Sequence, residues 1–92
     1  MIVRIATEGQ YRLPDDDAGR LNELDNQTVA AVEAGDEERF RQLFDEMLEL
    51  VRSHGEELGD DDLVESEVIL PPPDTSLGDA RAEFTGEGLI PG

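Results

Sequence analysis

The chain has 92 residues, no cysteine, and 24 acidic residues against seven basic ones, for a formal net charge of −17. A chain this short makes one domain at most, with a small core and modest stability, and the missing cysteines exclude disulfides and thiolate metal sites. The charge opposes direct binding to nucleic acid, which needs clustered cations and counterion release, and to anionic lipid headgroups. A basic protein partner would be attracted, although solubility in a salt-rich cytoplasm accounts for the same excess of acid. No apolar run approaches the ~20 residues of a membrane span, and the opening Met1-Ile2-Val3-Arg4-Ile5 is too short and too alternating for a signal peptide. A cytoplasmic protein without direct membrane insertion is expected. The charge is uneven along the chain: residues 1–14, with Arg4, Arg12 and Glu8, carry +1, whereas residues 56–67 hold seven acids and no base.

Residues 1–14 predict a β-hairpin. Val3, Ile5, Tyr11 and Leu13 alternate with polar or smaller residues, the period of a half-buried strand. A two-residue turn at Glu8-Gly9 would set Ile5 opposite Arg12 and mix the faces. A three-residue loop, Thr7-Glu8-Gly9, sets Ile5 opposite Tyr11 and Val3 opposite Leu13, and gives Gly9 the left-handed position of such loops. Pro14 closes the hairpin.

Residues 15–55 predict an αα-hairpin. Asp15, Asp16 and Asp17 supply N-cap candidates and first-turn negative charge. Leu21, Leu24, Thr28, Ala31 and Val32 form one helical stripe, which Gly35 ends. Asp36 starts a second helix on which Phe40, Leu43, Phe44, Met47, Leu48 and Val51 make a wider stripe, stopped by Gly55. The short connection makes the helices antiparallel. The second stripe is wide for one partner helix, so either the β-hairpin or another protein covers the remainder.

Residues 56–67 read as an acidic, solvated linker. Within residues 68–92, Val68-Ile69-Leu70 is a candidate third strand, and Pro71-Pro72-Pro73 suits an extended polyproline turn segment. Asp74 or Thr75 is expected to cap a short helix bearing Leu77, Ala80 and Phe84. In the tail, Leu89 and Ile90 are apolar enough to dock on the core or on a partner.

Residues that carry chemistry are scarce. His54 is the single histidine, which makes no credible metal or catalytic site and reads better as a helix C-terminal cation. Ser53 and His54, adjacent on a helix, point in different directions. A calcium loop needs oxygen ligands at alternating positions; the triplet Asp15-Asp16-Asp17 puts Gly19 at the fifth position, and Asp60-Asp61-Asp62 puts Val64 there. Neither triplet fits. No glycine-rich phosphate loop is present. The hairpin with Ala34-Gly35-Asp36 and Phe40 is similar to one tetratricopeptide unit, but such arrays need about three.

The residues at the ends of the chain complete a pattern. Met1-Ile2-Val3-Arg4-Ile5, Glu8-Gly9-Gln10-Tyr11, Leu21-Asn22-Glu23-Leu24-Asp25, Ala34-Gly35-Asp36-Glu37, Leu70-Pro71-Pro72 and Glu87-Gly88-Leu89-Ile90-Pro91-Gly92 follow in one order. In that combination, and in length, the chain resembles the PspA-associated protein family, PspAA. The resemblance implies a largely helical accessory domain without catalytic residues, acting in a phage-shock-like envelope stress response. The family is encoded beside PspA, a coiled-coil protein that assembles on stressed membranes. PspA is then the implied partner, with recruitment through it to the inner face of the membrane.

The expected fold is α+β and mostly helical: an N-terminal β-hairpin packed on an αα-hairpin, with a short C-terminal helix closing the domain. The expected function is non-enzymatic binding and regulation of PspA, with no cofactor or metal. The partner-facing candidates are Phe40, Phe44 and Met47 on the outer part of the second helical stripe, and Leu89 and Ile90 in the tail. The alternative is a self-associating module, most simply a homodimer that hides the surplus stripe.

Overall fold

In the computed structural model, which describes residues 1–59 and 65–84, the alternating apolar residues at the start of the chain form β1 (Ile2–Ile5) and β2 (Gly9–Arg12). They pair antiparallel, with Ile2 opposite Arg12, Val3 opposite Tyr11, Arg4 opposite Gln10 and Ile5 opposite Gly9. The register is displaced by two residues from the expected Ile5–Tyr11 pairing. The loop is Ala6-Thr7-Glu8, closed by the Glu8 N–H donating to the Ile5 carbonyl at 2.9 Å, and Gly9 opens β2 instead of ending the loop. A shift of two leaves every side chain on its original face, so Val3, Ile5 and Leu13 are still buried.

The loop places Thr7 at φ 75°. A β-branched residue in the left-handed region is strained by about 1–2 kcal/mol. Glycine relieves that strain and returns part of the gain as unfolded-chain entropy. Thr7→Gly is therefore expected to raise unfolding stability by about 1 kcal/mol in a urea titration; a less stable variant would show that Thr7 sits there without strain.

Pro14, with φ −58°, is the N-cap of helix α1 (Asp15–Ala34). The three aspartates expected as caps lie one position further in, because the Leu13 N–H is still bonded to the Met1 carbonyl at 2.8 Å and Pro14 turns the chain directly into the helix. Their charge still favours the helix start. At the other end Gly35 adopts φ 70°, and the Asp36 N–H returns to the Ala31 carbonyl at 3.0 Å, the closure a left-handed glycine permits. Asp36 then caps helix α2 (Glu37–His54), its carboxylate accepting from the Arg39 N–H at 3.1 Å. The two helices run antiparallel: the start of α1 meets the end of α2 through Asp17 and His54, and Thr28 meets Met47 further along.

After α2 the chain returns to the sheet. β3 (Glu56–Glu57) pairs antiparallel with β2, and β4 (Val68–Leu70) pairs parallel with β1, giving the order β3-β2-β1-β4. The expected linker over 56–67 thus begins as a strand. Its ladder uses only backbone groups, with the Leu58 N–H donating to the Gln10 carbonyl at 2.9 Å, while both glutamates stay exposed. Residues 60–64 of that linker lie outside the described residues.

The proline run ends in a turn instead of continuing extended: the Thr75 N–H and hydroxyl both donate to the Pro72 carbonyl, at 3.0 and 2.7 Å. The Arg41 guanidinium reaches over from α2 and donates to the carbonyls of Pro73 and Thr75. With Thr75 engaged in the turn, Ser76 caps α3 (Leu77–Glu83), accepting from the Asp79 N–H at 3.2 Å. Phe84 follows and is buried.

The architecture is the expected α+β class, mostly helical. One core lies between the sheet and the helices. Val3, Ile5, Leu13, Val68 and Leu70 of the sheet layer join Leu21, Leu24 and Val32 of α1, the α2 stripe from Phe40 to Val51, and Ala80 and Phe84.

Candidate functional site

The aromatic residues of the α2 stripe form the centre of the core. Phe40 and Phe44 stack with centroids 5.5 Å apart, and Phe84 packs edge-on to both at 6.1 and 5.9 Å. Arg41 lies over the first two rings, 5.5 and 5.7 Å from their centroids. Phe40, Phe44 and Met47 are completely buried. They offer no surface to a partner in this conformation, which corrects the expectation of an outward-facing apolar stripe on α2. The stripe is wide because it is covered from several sides, by α1, the sheet and Phe84, and no surplus remains for a symmetric dimer to hide. The other candidates, Leu89 and Ile90, lie outside the described residues.

The polar residues singled out in the sequence are held by separate partners. His54 turns to Asp17, its Nδ1 3.1 Å from the carboxylate, and links the outer ends of α1 and α2. Ser53 donates to Glu49 at 2.7 Å. The neighbours Ser53 and His54 are therefore not brought together. Among the described residues no group of three or more His, Cys, Asp or Glu side chains is arranged to hold a metal ion. Asp25, on the apolar stripe of α1, is completely buried; its place in the heptad-like spacing of Leu21, Leu24 and Thr28 was the signal for it.

A charged cluster joins the hairpin to the end of α2. The Arg52 guanidinium grips the Glu8 carboxylate with two bonds, from Nε at 2.9 Å and from Nη2. That grip holds the Glu8 carboxyl below its usual value and the guanidinium above its own. A lowered carboxyl contributes stability above the ordinary carboxylate pKa, and the contribution fades as pH falls through the folded value. Because the pair is partly exposed, the contribution is small.

Tyr11 lies half-buried beside this pair. Burial raises its phenol pKa first, Glu57 and Glu8 add to the rise, and Arg52 opposes it. A raised phenol contributes stability that is complete below the unfolded value and lost as pH rises through the folded one. Tyr11 is the single tyrosine, so ultraviolet titration reads it alone. The expected midpoint lies above the ordinary 10.0, and a midpoint at or below it would contradict the burial of this phenol.

On the face of the sheet turned away from the helices, Ser66, just before β4, accepts a hydrogen bond from Gln10 of β2 at 2.7 Å. Alternation from buried Val3, Ile5, Val68 and Leu70 sends Ile2, Arg4, Arg12 and Ile69 to this side. Ile69 is 58 % exposed and is the single exposed large apolar side chain among the described residues. Its register neighbour on β1 is Arg4, and Ile2 is paired with Arg12. Arg20, Arg41 and Arg52 are each within ion-pair distance of a carboxylate, whereas among the described residues Arg4 and Arg12 make no ion pair. Strand alternation predicts the outward direction of both arginines; Ile69 joins them only through the parallel β1–β4 pairing, which no local pattern specifies.

These elements define a two-layer α+β domain in which a four-stranded mixed sheet backs onto a helical hairpin. The model of the PspA-associated protein family, PspAA, matches residues 1–92, and the chain belongs to that family. No curated protein and no solved structure matches the chain. Among the described residues no helix is long and apolar enough to cross a membrane.

Proposed function

We propose that this chain is a non-enzymatic accessory protein that binds PspA and regulates it within an envelope stress response. The observation that carries the reading is the family match over residues 1–92. An isoleucine exposed on the sheet, beside two arginines that make no ion pair among the described residues, supports a protein contact. The non-catalytic reading is supported by the way candidate nucleophiles and bases are engaged. His54 faces Asp17, Ser53 donates to Glu49, Ser66 accepts from Gln10 and Ser76 caps α3. None of these forms the nucleophile–base pair that acyl or phosphoryl transfer requires. Recruitment to a membrane surface would then come through PspA, since a net charge of −17 repels anionic headgroups.

Sedimentation velocity of the chain mixed with purified PspA tests the reading. The expected result is that the small protein moves into the faster PspA boundary in proportion to the PspA present. Sedimentation as a free species at every ratio would overturn it.

A further inference from the structure

We infer that the stability of this fold is governed by screening of its own negative charge, so that it rises with simple salt, and that the medium it is built for is a concentrated salt solution. The inference does not depend on PspA being the partner.

Net charge supplies the first argument. Twenty-four acids against seven arginines leave an excess of 17 negative charges, whichever partners the arginines take. Folding gathers that excess. An unfolded chain of this length has a radius of gyration of about 30 Å, against 12.6 Å over the Cα atoms of the folded one. Exposed charges interact over about 10 Å at ~0.1 M salt and over about 3 Å at ~1 M. At the lower concentration carboxylates on different elements repel across the domain. At the higher, only immediate neighbours do. A domain this small has a modest core to set against that repulsion.

The placement of the acids supplies the second. Glu33 stands in the last turn of α1, where no basic residue offsets it and the helix end already carries partial negative charge. On α2, Glu49 follows Glu46 by three residues and Asp45 by four, a spacing at which like charges destabilise a helix. All three are exposed, as are the consecutive Glu56 and Glu57 of β3. The arginines are already shared, since Arg20 lies 3.7 Å from both Glu23 and Glu46. The field reaches even a half-buried ring: burial is the larger cause of the raised Tyr11 phenol, and the carboxylates of Glu57 and Glu8 add to it.

Salt also weakens attractive pairs such as Glu8 with Arg52. Those pairs are partly exposed and contribute little each, so the uncompensated excess decides the sign. Because the repulsion is spread over several elements, mobile ions relieve it without a seat of their own.

The test is urea titration of the full chain, followed by circular dichroism, in potassium chloride from about 0.1 to about 2 M. Urea is uncharged and leaves the ionic strength alone. Three versions are compared: the unaltered protein, Glu33→Gln/Glu49→Gln/Glu57→Gln, and Ala30→Glu/Gln42→Glu. The three glutamates make no ion pair among the described residues, and Ala30 and Gln42 are exposed on the helices. The midpoint of the unaltered protein is expected to rise by at least about 1 M urea over that range. The neutralised variant is expected to start higher and rise less, and the more acidic variant to start lower and rise more. The gaps between them narrow by about half or more at the highest salt. Equal slopes for the three versions would mean that salt acts on apolar burial and overturn the inference. A midpoint that falls or stays level as salt is added would overturn it as well. So would a rise in potassium chloride that sodium chloride does not reproduce, which would mark a seated ion.

Discussion

Phe44→Ala is expected to lower the stability of the fold by about 3–5 kcal/mol, the range for removing a fully buried aromatic ring. The ring is completely buried, stacked on Phe40, edge-on to Phe84, and overlaid by the Arg41 guanidinium. Its removal therefore takes away transfer energy, two ring–ring contacts and a cation contact, and leaves a cavity where α2 and the C-terminal helix meet. A small domain has about 5–15 kcal/mol in total, so the variant should lose a large fraction of it. The check is a urea titration, with a strongly lowered midpoint and a slope close to that of the unaltered protein. The outcome separates two roles that the sequence stripe permits. A midpoint close to that of the unaltered protein, with PspA binding lost, would mean that Phe44 is a contact residue and that the packing described here is wrong.

Gly55→Ala is expected to be the next most damaging of these substitutions, by about 2 kcal/mol or more. Gly55 has an ordinary extended backbone, φ −81° and ψ 152°, so strain at φ is not the cause. Space is the cause. A Cβ there would stand 2.4 Å from the Val51 carbonyl oxygen and 3.1 Å from the Tyr11 Cβ. That same carbonyl accepts the Gly55 N–H at 2.9 Å, so the obstacle is backbone and cannot swing aside. Relief requires moving either the last turn of α2 or the strand β3 that starts one residue later. Loss of stability accompanied by faster amide exchange at Leu58, whose N–H bonds to Gln10, would locate the damage in the β2–β3 pairing. Exchange unchanged at Leu58 would place the adjustment in α2 instead.

The parts of this fold that sequence reasoning reaches are those determined within a few residues. Gly35 between two stripes, Asp36 before a run of acids, and the spacing of Phe40, Leu43, Phe44 and Met47 each act locally, and the helices begin and end where those residues require. The features it misses depend on distant partners. Hairpin parity is legible, but the two-residue offset is decided by a loop that accepts Thr7 in a left-handed conformation. Ser76 displaces Asp74 and Thr75 as a cap because Thr75 and the neighbouring carbonyls are held by Pro72 and Arg41. Glu56 and Glu57 look like solvent-loving linker and are so in their side chains, yet their backbones complete the sheet.

The candidate site shows the same division. An aromatic stripe draws attention in a sequence, but burial converts Phe40, Phe44 and Met47 into core. The residues left facing outward are less conspicuous: two arginines on strands that alternate in the usual way, and one isoleucine in a short apolar run. Their significance arises when β4 is laid beside β1 and Ile69 arrives next to Arg4. Composition gives the complementary half of the argument, because arginines with no ion pair among the described residues are informative on a chain with so many acids.

Titration calorimetry of this chain into purified PspA, repeated at about 0.05 M and about 0.5 M salt, tests the central claim most directly, since added salt screens exposed charge and leaves apolar contact in place. The account predicts saturable binding with one stoichiometry at both salt concentrations, weaker at the higher. Absence of binding at both, or unsaturable heat confined to low salt, would contradict it.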